Sequence, residues 1–100
     1  MAKSEEEIRA EIKAYIDRNG GPYSSWYVGI AADARERLFN NHGVDEKNDF
    51  WIYQTCSSSD IARNVEAYFV NELSTDGGTG GGGDDTDKVY AYKKNSHTNP

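Results

Sequence analysis

The sequence predicts a small α+β domain in which three helices alternate with three strands, in the order α-β-α-β-α-β. Apolar residues recur at helical spacing in three segments, and short runs rich in aromatic and β-branched residues lie between and after them. Glycine-containing turns mark several of the boundaries. The chain has 100 residues, a length that favours one domain over residues 1–100.

The first helix is predicted from Ser4 to Asn19. Ser4 and Glu7 have the spacing of a capping box, in which each residue satisfies a backbone N–H of the other. Isoleucines at helical spacing form an apolar stripe, and a Gly-Gly-Pro run ends the helix.

The first strand is predicted at Trp26–Ile30, and a second helix follows from Asp33 to His42. Asp33 with Glu36 again has the spacing of a capping box. Gly43 follows the helix and can supply a left-handed C-terminal cap.

The second strand is predicted at Phe50–Thr55 and the last at Lys88–Lys94. Between them a serine run, residues 57–59, caps a third helix that ends near Leu73. The apolar stripe of this helix consists of Ile61, Val65, Tyr68, Phe69 and Leu73. The three strands are expected to form a mostly antiparallel sheet flanked by the three helices.

Residues 75–87 are rich in glycine and aspartate and are predicted to be a flexible loop. The run Gly78–Gly83 matches a G-x-G-x-x-G string, but it follows a helix and precedes a strand, which is the wrong context for a phosphate cradle. Flanking aspartates would repel phosphate, so a mobile lid or a weak site for a hard cation remain the alternatives. Residues 95–100 are polar and are expected to be frayed.

Composition limits the class of protein. The chain carries 17 acidic and 11 basic side chains, for a net charge of −6, which argues against a general nucleic-acid coat protein. No apolar run approaches the roughly 20 residues of a membrane span, and the charged N-terminus has no secretory apolar region. Cys56, the single cysteine, excludes an intramolecular disulfide and a cysteine zinc site, and we expect it to be a small packed residue. These features predict a cytoplasmic protein without a membrane partner, and no feature indicates its oligomeric state.

Three residues are candidates for chemistry because of where they fall on predicted helices. Glu66 lies within the apolar stripe of the third helix, so its carboxylate must be half-buried, paired or bound to a cation, unless its head reaches water at the edge of the stripe. Arg37 flanks the apolar face of the second helix, where it is either solvated or suited to phosphate. His42 ends that helix and can be a simple C-terminal cation.

The run from Tyr27 to His42 resembles the second half of the GIY-YIG nuclease signature: a Tyr-Ile/Val-Gly strand, a turn, and a helix with an arginine and often a histidine. Arg37 matches the arginine that contacts the scissile phosphate in that family. The family continues with a strand and a helix that carries a metal-binding glutamate. Phe50–Thr55 and the helix with Glu66 follow in that order.

The first strand of that family, which carries Gly-Ile-Tyr, has no good match upstream. Gly21-Pro22-Tyr23 is only a few residues before the first strand, and Pro22 is poor strand material. We therefore expect a permuted, GIY-YIG-like order in which the last strand docks beside Trp26–Ile30. Tyr90 would then occupy the place of the family's first tyrosine.

The resemblance implies a divergent metal-dependent endonuclease that cleaves a nucleic-acid phosphodiester, with DNA preferred to RNA as partner. Glu66 would bind Mg²⁺ or Mn²⁺, Arg37 would hold the phosphate, Tyr27 or Tyr90 would activate water, and His42 would assist proton transfer. For the two tyrosines, cross-strand aromatic packing is the alternative. The alternative function is a catalytically inactive nucleic-acid- or protein-binding module on the same fold.

The net charge does not exclude a phosphate site. Residues 44–75 carry six acidic and two basic groups, whereas residues 21–43, which include Arg37, are neutral. Lys88, Lys93 and Lys94 are expected to lie beside Arg37.

Overall fold

A computed structural model describes residues 3–77 and 85–100 of the chain. Within those ranges the chain forms three helices and four strands, with a Cα radius of gyration of 12.1 Å. The elements are α1 (Glu5–Asn19), a 3₁₀ turn (Tyr23–Ser25), β1 (Trp26–Ala31), α2 (Ala34–Glu36) with a π-helical continuation (Arg37–Asn41), β2 (Trp51–Thr55), α3 (Ser59–Ala67) with a π-helical continuation (Tyr68–Glu72), β3 (Asp76–Gly77) and β4 (Lys88–Lys93). This arrangement confirms the predicted α+β class.

β4, the last strand in sequence, lies inside the sheet, whose order is β2-β4-β1-β3. It is antiparallel to both of its neighbours, and Tyr90 is opposite Gly29 of β1 on one side and Tyr53 of β2 on the other. The prediction that the last strand docks beside Trp26–Ile30 is confirmed.

The predicted three-stranded sheet was wrong in one respect: the sheet is mixed and has a fourth, two-residue strand. β3 pairs with β1 in parallel, with Asp76 opposite Tyr27 and Gly77 opposite Val28. A side chain at Gly77 would meet Val70 Cγ2 at 2.5 Å and the Val28 carbonyl oxygen at 2.9 Å, so only glycine fits this close approach. Two residues of the predicted 75–87 loop therefore belong to the sheet. The predicted lid or cation site would involve residues 78–84, which lie outside the described residues.

The helix ends follow the predicted capping residues with one exception. Ser4 and Glu7 form the complete capping box of α1, and the Ser58 side chain caps α3 by accepting from the Ile61 N–H. Asp33 accepts from the Glu36 N–H at 3.1 Å, but Glu36 does not complete the reciprocal bond.

The sheet separates two packed clusters. On the face that we call the α1/α3 face, isoleucines of α1, Val65 of α3 and Phe69 of its continuation cover alternate strand residues. On the opposite face, which we call the α2 face, Ala34, Leu38 and Val44 cover the other strand residues. The buried strand residues of the α2 face are Tyr27, Ala31, Tyr90 and Tyr92.

Residues 95–100 were expected to be frayed, yet the structure gives them specific contacts. The Asn99 N–H donates to the His42 carbonyl oxygen at 2.7 Å, and Thr98 is buried. Asn95 Nδ2 and His97 Nε2 both contact the Asp49 carboxylate. Hydrogen bonding to a neighbouring loop thus holds a segment whose polarity alone indicates fraying.

Among the described residues, no helix combines the length and apolar character needed to cross a membrane.

Candidate functional site

The register of β1 and β4 brings three tyrosines together on the α2 face. Tyr27 is directly opposite Tyr92, with ring centroids 5.3 Å apart, and the rings of Tyr27 and Tyr90 are 6.3 Å apart. Tyr90 and Tyr92 are two residues apart in a strand and therefore point to the same face. The result is a stack of phenols over the middle of the sheet.

Gly29 makes room for this stack. A Cβ atom at this position would lie 2.6 Å from Tyr90 Oη and 3.1 Å from Tyr27 Cε1, distances that real Cβ atoms almost never show. The glycine of the Tyr-Val-Gly run is therefore required by side-chain packing, because the Tyr90 phenol lies directly over it.

His42 joins the phenols from the end of the helical segment that begins at Ala34. Its Nε2 is 2.8 Å from Tyr90 Oη, and its Nδ1 is 2.6 Å from the Asn99 carbonyl oxygen and 3.1 Å from Tyr92 Oη. The ring is also packed against Tyr27, at 4.6 Å between centroids.

His42 does not act as the helix-terminal cation that its sequence position suggested. Burial lowers its pKa, the Asn99 carbonyl acts in the opposite direction, and the positive charge of Arg37 adds to the lowering. A buried, neutral imidazole within hydrogen-bond distance of a phenol can accept a proton from it.

Arg37 lies one helical turn before His42 and is exposed to solvent. Its charge favours the ionised form of Tyr27, and its charge and hydrogen-bond donors do the same for Tyr90. An exposed guanidinium beside buried phenols is placed to contact both a bound anion and the tyrosines.

Glu66 is buried in α3, with 8% of its surface exposed, which is one of the alternatives that its place in the apolar stripe left open. Burial raises its pKa to about 7, and the charge of Arg63 only partly opposes this effect. Its negative charge raises the pKa values of both Tyr27 and Tyr90, so the carboxyl group lies within electrostatic range of both phenols. The charges of Glu66 and Arg37 therefore act on both phenols in opposite directions, Glu66 disfavouring and Arg37 favouring their ionised forms.

The phenols are poor bases in the isolated protein. Burial is the largest cause of a raised pKa in Tyr27, Tyr90 and Tyr92. Tyr27 is the most exposed of the three, at 9%, compared with 1% for Tyr90 and 0% for Tyr92. A nearby cation is needed to lower the pKa values of these phenols before they can act as bases at neutral pH.

Among the described residues, the cluster offers too few ligand side chains to hold a divalent cation alone. It suits only a cation that also binds oxygens of the substrate. The described residues contain no group of three or more histidine, cysteine, aspartate or glutamate side chains arranged to hold a metal. Mg²⁺, however, keeps several waters and commonly binds through one or two carboxylates together with substrate phosphates. Glu66 can provide that carboxylate, and cation binding would offset the cost of keeping its buried charge.

Two contributors to the cluster were missed by sequence reasoning. Tyr92 follows Tyr90 by two residues, so strand alternation was a sufficient signal for it. Asn99 contributes a backbone carbonyl, which no residue pattern reveals.

The lysines that we expected beside Arg37 are engaged elsewhere. Lys88 pairs with Asp87 at 2.9 Å and Lys94 pairs with Asp76 at 3.2 Å. Lys93 lies over the Phe50 ring, 5.8 Å from its centroid. The three lysines therefore do not add to the positive charge of Arg37 in the way the sequence suggested.

Comparison of the chain with protein-family models, with curated proteins and with solved structures gives no match.

Proposed function

We propose that the chain is a divergent metal-dependent endonuclease with a GIY-YIG-like active site that cleaves a nucleic-acid phosphodiester. The observation that carries this proposal is the cluster of Tyr27, Tyr90 and His42, whose phenols are influenced by the charges of Arg37 and Glu66. These residues come from two helices and two strands that are distant in sequence. Phosphodiester hydrolysis needs a base, a cationic contact to the phosphate and a carboxylate for a metal, and the group contains all three.

In this proposal Tyr27 contacts the attacking water, because it is the most exposed phenol of the cluster. Tyr90 and His42 form the path for the proton, since Tyr90 Oη is 2.8 Å from His42 Nε2. The neutral imidazole accepts the phenolic proton, and the Asn99 carbonyl stabilises the Nδ1–H of the ring.

Arg37 binds a non-bridging phosphate oxygen and favours the ionised phenols. Glu66 holds Mg²⁺ or Mn²⁺, which when bound supplies positive charge that stabilises the phosphate oxygens and the leaving group. DNA is the preferred substrate class of this proposal, and RNA is the comparison.

The experiment measures cleavage of labelled single-stranded, double-stranded and branched DNA, and of RNA, with Mg²⁺, with Mn²⁺ or with chelator. Wild-type protein should cleave only with metal. Arg37→Ala, Tyr27→Phe and Tyr90→Phe should each lower the rate about a hundredfold or more, as expected for loss of a phosphate contact or a proton-transfer group. Glu66→Gln should abolish the metal-dependent cleavage, because it removes the carboxylate that is proposed to hold the metal.

Two matched controls separate local chemistry from general charge effects. Arg35→Ala removes an exposed arginine from the same helical segment, and Glu72→Gln removes an exposed carboxylate near the end of the α3 continuation. Both should stay within roughly twofold of wild type, because surface substitutions have small effects. Cleavage that persists in Arg37→Ala and Glu66→Gln would assign the activity to another site.

The pairing of Lys88 and Lys94 with aspartates favours a second function, a binding module without catalysis. That reading requires folded protein that shows salt-dependent affinity for DNA or RNA, or for a protein, and no cleavage with either metal.

A further inference from the structure

The His42 ring is held between a phenol and a backbone carbonyl. The Asn99 carbonyl oxygen, 2.6 Å from Nδ1, can only accept a hydrogen bond, so Nδ1 must carry a proton. In the neutral ring Nε2 then has a free lone pair, and the Tyr90 hydroxyl, 2.8 Å away, must be the donor. The contact from Asn99 thus decides the direction of the bond between Tyr90 and His42.

We propose that residues 95–99 form a positioning element whose Asn99 carbonyl fixes the His42 tautomer in which Nε2 accepts the Tyr90 proton. The consequence for catalysis rests on the proposed function, whereas the tautomer itself does not. Asn99 is a positioning residue, since it acts through His42.

The segment is built to hold that carbonyl in place. The Asn99 N–H donates to the His42 carbonyl oxygen at 2.7 Å. Asn99 therefore binds His42 through both its N–H and its carbonyl oxygen. Thr98 Oγ1 accepts from the Asn95 N–H at 3.0 Å and donates to the Asn95 carbonyl oxygen at 3.1 Å, which closes a turn. Asp49 binds Asn95 Nδ2 at 2.9 Å and His97 Nε2 at 2.5 Å, which anchors the turn to the loop before β2.

Gly43 allows the chain to leave His42 beside this segment. Its φ of +70° is in the left-handed region, and a Cβ atom there would lie 3.2 Å from the His97 carbonyl oxygen. A larger residue would strain the backbone and push the segment away.

Tyr92 explains why the carbonyl is needed. Its hydroxyl is 3.1 Å from Nδ1 and can either accept or donate, so without Asn99 it would permit both tautomers. The Tyr90 hydroxyl can also change from donating to accepting a hydrogen bond, so it does not fix the tautomer either. Tyr27 also packs against the ring, and the charge of Arg37 disfavours a second proton on it.

The test compares three proteins by ¹⁵N chemical shifts of the histidine rings. One is wild type, one ends at Thr98 and so lacks the carbonyl, and one carries Asn99→Ala, which keeps the carbonyl and is the matched control. Wild type and Asn99→Ala should show His42 with its proton on Nδ1. The shortened protein should show a mixture of tautomers, and its cleavage rate should fall about tenfold or more, with a changed pH profile.

A further variant, Asn99→Pro, keeps the carbonyl but removes the N–H that binds the His42 carbonyl oxygen, and it should give a smaller shift in the same direction. Thermal unfolding of all variants identifies loss of fold. A wild-type ring protonated on Nε2, or an unchanged tautomer in the folded shortened protein, would overturn the proposal. The expected tautomer changes without cleavage by any protein would support the positioning role and contradict the nuclease.

Discussion

The two faces of the sheet use alternate residues of the same strands, yet they bury different chemistry. On the α1/α3 face the buried residues of β1 and β4 include Val28, Ile30, Val89 and Ala91. On the α2 face the same strands bury three tyrosines, and His42 lies against them. One face gains free energy from apolar burial, and the other must satisfy each buried polar atom with a hydrogen bond.

The difference shows where ionisable groups can be desolvated without loss of the fold. The apolar face supports the sheet, so the opposite face can keep phenols and an imidazole away from water with altered pKa values. Groups with perturbed pKa values cluster at functional sites more often than elsewhere. Substitutions of apolar residues on the α1/α3 face should therefore affect mainly stability, and substitutions in the tyrosine cluster should also affect proton chemistry.

The largest effect is expected on the apolar face. Phe69→Ala removes a fully buried ring and should lower the free energy of unfolding by about 3–5 kcal/mol, because a cavity replaces the ring. Urea denaturation followed by circular dichroism measures this loss. Tyr53→Phe, a change at a half-buried residue of β2, is the control and should cost less than about 1 kcal/mol. A cost for Phe69→Ala as small as that of the control would contradict the assignment of stability to this face.

The second effect depends on pH. The folded-state pKa of Glu66, about 7, is above the ordinary value of 4.5, so the folded protein binds this proton more tightly than the unfolded chain does. In metal-free buffer, stability should therefore fall by up to about 3 kcal/mol as pH rises from about 4.5 to 7. Glu66→Gln should remove this decrease, and Glu72→Gln should retain it. The free energy of unfolding measured from pH 4 to 8 tests the prediction, and equal slopes in wild type and Glu66→Gln would disprove it.

The smallest of the three effects concerns packing within the tyrosine stack. Gly29→Ala places a Cβ atom 2.6 Å from Tyr90 Oη and should cost about 1–3 kcal/mol, as overpacking does. It should also displace Tyr90 from His42, which ¹⁵N shifts of the His42 ring would detect. In a Tyr90→Ala background the same substitution should cost less, and a double-mutant cycle measures the difference. If the two free-energy changes are additive, the added Cβ atom collides with a group other than Tyr90.

Much of the fold follows from local sequence signals. The capping box at Ser4, the apolar stripe around Val65 and the alternation of β4 each have a physical cause that acts within a few residues. β3 has no such signal, because two residues show no periodicity and the close approach of Val70 and the Val28 carbonyl to Gly77 arises only in the folded chain.

The candidate site was predictable in part. The position of Glu66 among apolar residues indicated an unusual carboxylate, and the pairing of the last strand with the first followed from the proposed permutation. The two hydrogen bonds between the Asn99 backbone and His42 were not predictable, since tertiary structure brings these groups together. Ion pairing of the lysines was also missed, because charge counts along a chain do not show which side chains meet.

The place of β4 in the sheet has a consequence for how the chain folds. β1 and β2 do not pair with each other and both pair with β4, so neither has its long partner until residues 88–93 have left the ribosome. Until then the strands carry unpaired backbone edges that can join other chains. Sheet formation must also close loops of more than 30 residues between β2 and β4, a non-local pairing of the kind that slows folding. Synthesis of the last strand is thus the step that allows the sheet to form, and the tyrosine cluster forms with it.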